Sequence, residues 1–529
     1  MAEPSGLSTG FKQDVIRLWQ SRSMNRTRRE ILTGALALGA SHSLPLWAAP
    51  TLKEFPFTLG VASGEPAPDG IALWTRLAPK PFDAAAMPAA NIAVRWQVAE
   101  DENFAKVVRK GQAVASPALA HSVHVEVAGL RPARWYWYRF SAGGHQSPTG
   151  RFRTSPAPGD MPERFRFAFA SCQQWTQGFW TAYEHMAGED LDLVIHLGDY
   201  IYEQGYRGQI RREGHEETFT LADYRNRHAL YKTDPLLQNA HARFPWITTW
   251  DDHEVSNNYA NDIQEKGQPR SEFLQRRAWA YQAFYEHMPL RRRSLPKGPD
   301  MALYRRLDFG RLIRLHMLDT RQHRSDQPCG DGLKKPCPDL RNPAQTLLGD
   351  AQQKWLDQSL HSSPAVWDLI GQQILVTLQD FDAGPDELFN MDSWSGYPLA
   401  RQRLIDTLAA RPRRNTVIIT GDVHSSWVGQ LHVEPREVKS PCVAAEFVGT
   451  SISSGGDGAD TSERAAAVLS ANPQIRYFNG RRGYVRCEVA PKSWRADYRL
   501  LDYVTKPGSP VTTRASFAVE PSRLVVEKA

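Results

Sequence analysis

The sequence predicts an α/β fold, a core of β-sheets flanked by helices, preceded by an N-terminal antiparallel β-sandwich domain. Three observations carry this. Four short apolar runs, Phe165–Ala170, Leu193–Leu197, 246–250 and Thr416–Thr420, end abruptly in polar residues, as strands buried on both faces do. Helical stretches at 271–288 and 351–361 lie among such runs, which is the alternation of an α/β domain. Between 55 and 154, short β-rich segments at 60–63, 71–76, Ile92–Ala99, 123–127, 135–140 and 151–154 are separated by turn residues at the spacing of a sandwich.

Taken in order, the chain opens with a targeting pattern. Arg26, Arg28 and Arg29 precede the mildly apolar stretch 33–40 and the small residues around Ala48 and Ala49, which together read as a signal peptide, and the Arg pair gives it a twin-arginine character. The expected product is a periplasmic or extracellular protein exported by the twin-arginine machinery, with Met1 or Met24 as the start. The apolar run is too short and too rich in Ala and Gly for a stable membrane span, which takes about 20 apolar residues. The expected division is a signal segment at 1–48, the sandwich at 55–154, a Pro-rich linker, and the α/β domain at 160–529. The 529 residues leave ample capacity for a buried core.

Charge excludes some partners. The formal net charge is +6, and half of it belongs to residues 1–48, where six Lys and Arg face three acids. The 16 Trp are dispersed and do not interleave with a basic run, so no nucleic-acid footprint is present. Of the five Cys, Cys329 and Cys337 flank a short loop of Gly, Lys and Pro and are expected to pair. A closed loop of that size stabilises by roughly 2–3 kcal/mol in the chain-entropy model. Cys442 and Cys487 sit in apolar runs as free buried thiols.

The chemistry gathers at the four strand ends. They deliver Cys172; Asp199 with Tyr202 three residues on; Asp251, Asp252, His253 and Glu254; and Asp422 with His424. A single Gly-Asp after a strand can be a helix cap and the Tyr a core residue. Four such ends collecting Cys, Asp, Tyr and His point instead to a shared metal centre, with carboxylate and phenolate suited to a hard cation such as Fe(III).

With these residues assembled, the chain resembles the PhoD-like alkaline phosphatases, a branch of the calcineurin-like metallophosphoesterases. The resemblance rests on Gly60-Val61-Ala62-Ser63-Gly64-Glu65-Pro66, on Leu73-Trp74-Thr75-Arg76, on the blocks around Cys172, Asp199, Asp252 and Asp422, on 318–322 and on 392–398. It implies one Fe(III) held by Cys172, Asp199, Tyr202 and His424, and calcium held by Asp199 as a bridge together with Asp252 and Asp422, with Asp251 the weaker candidate. His253 is then expected to contact phosphate or protonate the leaving group, or else to orient a ligand. Arg321, after the strand-like run 312–318, could clamp a phosphate oxygen or be structural. His215, His228, His241 and His323 read as ordinary. The implied reaction is hydrolysis of a phosphate ester by metal-activated hydroxide, on monoesters or diesters, with a phosphodiesterase or phospholipase-D-type enzyme as the alternative. An iron-dependent redox enzyme is the rival from another class. The tail 516–529 reads as extended, without the C-terminal helix that covers the site in some relatives.

Overall fold

The computed structural model describes residues 52–205, 209–214, 216–411, 415–521 and 523–529. The targeting pattern at 1–48 and His215 lie outside them.

Two large mixed sheets face each other. At the centre of the first, Phe165–Ala170, Leu193–Leu197 and Pro245–Thr249 run parallel, and Leu193 to Leu197 is buried throughout. Four C-terminal strands, Gly483–Ala490, Ser493–Leu501, Val511–Glu520 and Arg523–Lys528, extend one side of it antiparallel, so the tail is extended as its sequence indicates. In the second sheet Ile313–Met317, Trp367–Gly371, Thr416–Thr420 and Cys442–Val448 are parallel, flanked by Arg305–Phe309 on one side and by Ser426–His432 and Ile475–Asn479 on the other. Thr-Val-Ile-Ile-Thr at 416–420 is β-branched and buried at every position, which is why it forms a strand covered on both faces.

The core lies between the sheets, where Phe167, Phe169, Ile195, Leu197 and Ile247 meet Leu315, Met317, Leu369, Val417 and Phe447. Each such side chain contributes roughly 1.5–3 kcal/mol by leaving water. Helices Thr181–Ala187, Leu221–Lys232, Pro235–Arg243 and Arg270–His287 pack over the outer face of the first sheet. Gly349–His361 and Pro398–Ala409 cover that of the second. Their starts are written locally: Thr220 and Asp223 form a reciprocal capping box, and Asp234 caps a helix that opens on Pro235.

The N-terminal segment forms a sandwich, but one of its two sheets is not its own. Val61–Ala67, Gly70–Arg76 and Ser122–Val127 extend the first large sheet, because Val61–Ala67 pairs in parallel with Pro245–Thr249. The other sheet comprises Val107–Ala115, Ile92–Ala99, Trp135–Ala142, His145–Gln146 and Gly150–Arg153. Val61, Ile71 and Leu73 pack against Val94, Tyr138, Phe140 and Phe152 between the two. Val107–Ala115, an edge strand in which only Ala115 is buried, has too little hydrophobic alternation to stand out in the sequence. Cys487 is a buried free thiol, whereas Cys442, at the end of its strand where the register shifts, is only partly buried.

Candidate metal centre

The two facing sheets bring the four predicted strand ends to one place. Gly198 and Gly421 permit the approach. At Gly198, φ is +105°, and a Cβ there would lie 2.5 Å from the Asp251 Cβ. One at Gly421 would lie 2.8 Å from the Ser171 side chain, so the ends of strands from opposite sheets touch where any larger residue would part them.

Four of the predicted ligands share an uncommon backbone. Cys172, Asp199, Asp422 and His424 have φ of 59°, 54°, 59° and 54°, the left-handed region that non-glycine residues rarely occupy. Such strain gathers at functional sites where the surroundings over-determine the conformation. Here they do: the Glu254 carboxylate accepts the backbone N–H groups of Asp199 at 3.2 Å, Tyr200 at 2.5 Å and Asp251 at 2.8 Å, tying two strand ends together.

Ligand-capable atoms of Cys172, Asp199 and His424 lie within 4.8 Å of one another, and so do those of Asp199, Asp252 and His253. Asp199 belongs to both groups. Tyr202 joins the first: its hydroxyl donates to Asp199 Oδ2 at 3.0 Å and lies 3.0 Å from His424 Nε2 and 2.7 Å from Ser454 Oγ. Ser454 Oγ also donates to the Cys172 carbonyl at 2.7 Å. Asp422 shares the field of these groups. Desolvation first, and then the Asp251 and Asp392 carboxylates, push it well above the usual carboxylate range. Desolvation does the same to Asp199, with Asp252 and Asp251 adding to it against the opposing pull of His253.

These residues fit a bound cation. Asp199 Oδ1, Asp251 Oδ2 and Asp252 Oδ1 are buried without a hydrogen-bond partner, an arrangement that costs free energy unless positive charge is supplied. The donors divide by chemistry as well. Thiol, phenol and imidazole gather with Asp199 in the first group, and the Asp252 carboxylate and the His253 imidazole gather with it in the second.

His253 is held by a residue the sequence reading passed over. Its Nδ1 lies 2.6 Å from Glu203 Oε2, and its ring packs on Tyr202 at 4.2 Å. Burial opposes charge on the imidazole, but Glu203, Asp252 and Asp199 outweigh it and push the pKa well above its ordinary value. Arg321 is wholly buried, with Nε 2.5 Å from Asp251 Oδ1 and Nη1 and Nη2 each 2.9 Å from Asp392. Every nitrogen that a phosphate clamp would use already has a carboxylate. His228 and His241 are buried beside Lys232, in a polar cluster separate from the ligand groups. His323 packs edge-on to Tyr304. Glu203 and Glu254 carry no local signal of their roles beyond proximity in sequence to a predicted ligand, Asp392 none beyond membership of a family block, and Ser454 none at all.

Known proteins resemble this chain over most of its length. Residues 167–498 match the family described as PhoD-like phosphatase, and residues 42–156 match the PhoD-like phosphatase N-terminal domain. Alkaline phosphatase D of Bacillus subtilis (strain 168) is 49% identical over 536 residues, covering 98% of this chain and 92% of that one. The solved structure of PhoD superposes with a TM-score of 0.90 at 52% identity, covering 91% of this chain and 93% of that chain. A purple acid phosphatase from yellow lupin (Lupinus luteus) shares the fold alone, with a TM-score of 0.52 at 11% identity over 88% of this chain and 74% of that one.

Proposed function

The chain belongs to the PhoD-like phosphatase family and is a phosphoric ester hydrolase, and from that premise we propose an exported, two-metal enzyme acting on phosphate monoesters and diesters. The observation that carries the reading is the double membership of Asp199, one carboxylate common to two ligand groups. In this reading Cys172, Tyr202 and His424 hold Fe(III) with Asp199, and Asp252 and Asp422 share calcium with it. The thiolate and phenolate suit a ferric ion, and the carboxylate oxygens of Asp252 and Asp422 suit a hard labile one. Residues 1–48 serve as a twin-arginine signal that sends the protein to the periplasm or beyond, and 55–154 and 160–529 form the two domains.

Metals held by these residues would neutralise phosphoryl charge and lower the pKa of water. The chain's residues supply the rest. Glu203 fixes the His253 ring through Nδ1, which commits Nε2 to the phosphoryl or leaving oxygen. Glu254 keeps the backbones of Asp199 and Asp251 in register. Arg321 acts as a positioning residue, neutralising Asp251 and Asp392. Residues 422–425, two of them proposed ligands, are partly exposed, so a phosphate ester can reach the centre from solvent.

Turnover of a chromogenic phosphomonoester and a phosphodiester, measured side by side before and after metal removal, tests the reading. Hydrolysis in labelled water should place one solvent oxygen in the phosphate, with inversion at a chiral phosphorus. Net retention, or a trapped phosphoenzyme, would show that a side chain attacks first.

A further inference from the structure

Beside the ligand groups lies a loop that the reaction as described does not use. Cys329 and Cys337 are joined by a disulfide, and the four residues Cys329, Gly330, Asp331 and Gly332 have φ of 60°, 84°, 58° and 67°. Two of these are not glycine, so an open chain would relax from this conformation. The covalent closure holds it.

What the loop presents is directed at one residue. Asp331 Oδ2 accepts Asn258 Nδ2–H at 2.7 Å, and Gln327 Nε2 donates to the Asn258 carbonyl at 2.7 Å and to Asp392 Oδ1 at 2.7 Å. Asn258, itself at φ 49°, donates its backbone N–H to Asp252 Oδ2 at 2.7 Å. The N–H, carbonyl and side-chain amide of Asn258 are thus all engaged: the amide by Asp331 inside the disulfide-closed loop, the carbonyl by Gln327 two residues before that loop, and the N–H by Asp252.

We propose that Asp331 is a positioning residue that fixes Asp252 through Asn258, and that the Cys329–Cys337 disulfide makes this possible, so that affinity for the metal on the Asp252 side depends on the redox state of the loop. This rests on Asp252 being a metal ligand. Partners behind a ligand typically govern metal affinity by about 10–100-fold, so the effect is measurable. Both cysteines are partly exposed and open to a reductant. Dithiothreitol would deliver two electrons and two protons, breaking the S–S bond to give two thiols while it is oxidised to its cyclic disulfide.

The test measures calcium binding to the iron-loaded protein by equilibrium dialysis, with thermal melting and iron content followed in parallel. Reduction, Asp331→Ala and the double Cys329→Ser, Cys337→Ser variant should each weaken calcium binding about tenfold or more while iron content holds. Asp331→Asn keeps an acceptor oxygen for Asn258 and should recover most of the affinity. The double variant should not respond to dithiothreitol. Asp386→Ala, which removes the exposed 2.7 Å pair with Lys335 of the closed loop but leaves the Asp331–Asn258 contact in place, should bind calcium normally. Unchanged calcium affinity in protein whose two thiols are verified by alkylation would overturn the proposal, as would an Asp331→Ala variant that loses only thermal stability. Native oxidised protein that binds no calcium while hydrolysing esters would instead overturn the metal assignment on which the proposal rests.

Discussion

Arg321 meets Asp392 through two parallel 2.9 Å hydrogen bonds, and its third nitrogen reaches Asp251 at 2.5 Å, all out of contact with solvent. Such forked pairs are strong, and removing one partner leaves the other buried and unbalanced. Arg321→Ala should therefore cost about 3–5 kcal/mol of stability. Thermal unfolding reads this directly, and Arg321→Lys should recover only part, because an ammonium cannot span both acids. Intact stability with a selectively raised KM would return Arg321 to the substrate.

Tyr202 offers an optical readout. Its hydroxyl lies within hydrogen-bond distance of both Asp199 and His424, where a ferric ion would draw on its phenolate. Iron-loaded protein should absorb in the visible, and Tyr202→Phe should shift or weaken the band at equal iron content. A colourless protein with stoichiometric iron would remove the phenolate, and with it the Cys172 thiolate, from the ligand set.

The two halves of the site should part company under chelation. A mild chelator should abolish turnover with iron still bound, and added calcium should restore it, because oxygen-only ligation exchanges more readily than thiolate and phenolate. Assaying activity and iron together decides the matter. Joint loss of both metals would remove the distinction.

Glu213 gives a pH dependence opposite to that of most carboxylates. It lies 2.9 Å from Arg227 in a buried pair, yet burial outweighs that attraction and raises its pKa from 4.5 to about 7. Between those values the folded chain keeps a proton that the unfolded chain releases. The stabilisation is therefore full below about pH 4.5 and is lost as pH rises to about 7, by roughly 3 kcal/mol. Glu213→Gln cannot release that proton, so its melting temperature relative to the native protein should climb between pH 5 and pH 8. A constant difference would show that Glu213 does not titrate in this range.

Much of the candidate site was legible because each candidate ligand follows a strand whose apolar run stops without warning. Cys172, Asp199, Asp252, Asp422 and His424 could be read from that local contrast, and Cys329 with Cys337 from the loop between them. Glu203 and Glu254 could not, since an acidic side chain near a ligand looks the same whether it is solvated or buried against a ring nitrogen or three backbone N–H groups. For Arg321 a phosphate clamp and a structural role both stayed open, because the partner that would distinguish them, Asp392, lies 71 residues away. The parallel pairing of Val61–Ala67 was hidden for the same reason: its partner strand begins at Pro245 and leaves no trace in the local pattern.

That pairing has a practical consequence for dissecting the protein. Val61–Ala67 covers the Pro245–Thr249 strand, whose end carries Asp251 and Asp252. A fragment begun at the linker would leave the Pro245–Trp246 edge of an apolar strand without its partner, in the strand that leads to the candidate metal centre, the kind of open edge through which chains join one another. Such a fragment should come out of the cell aggregated, and the segment before the linker is better understood as the closing piece of the enzyme's own sheet than as an accessory that can be trimmed.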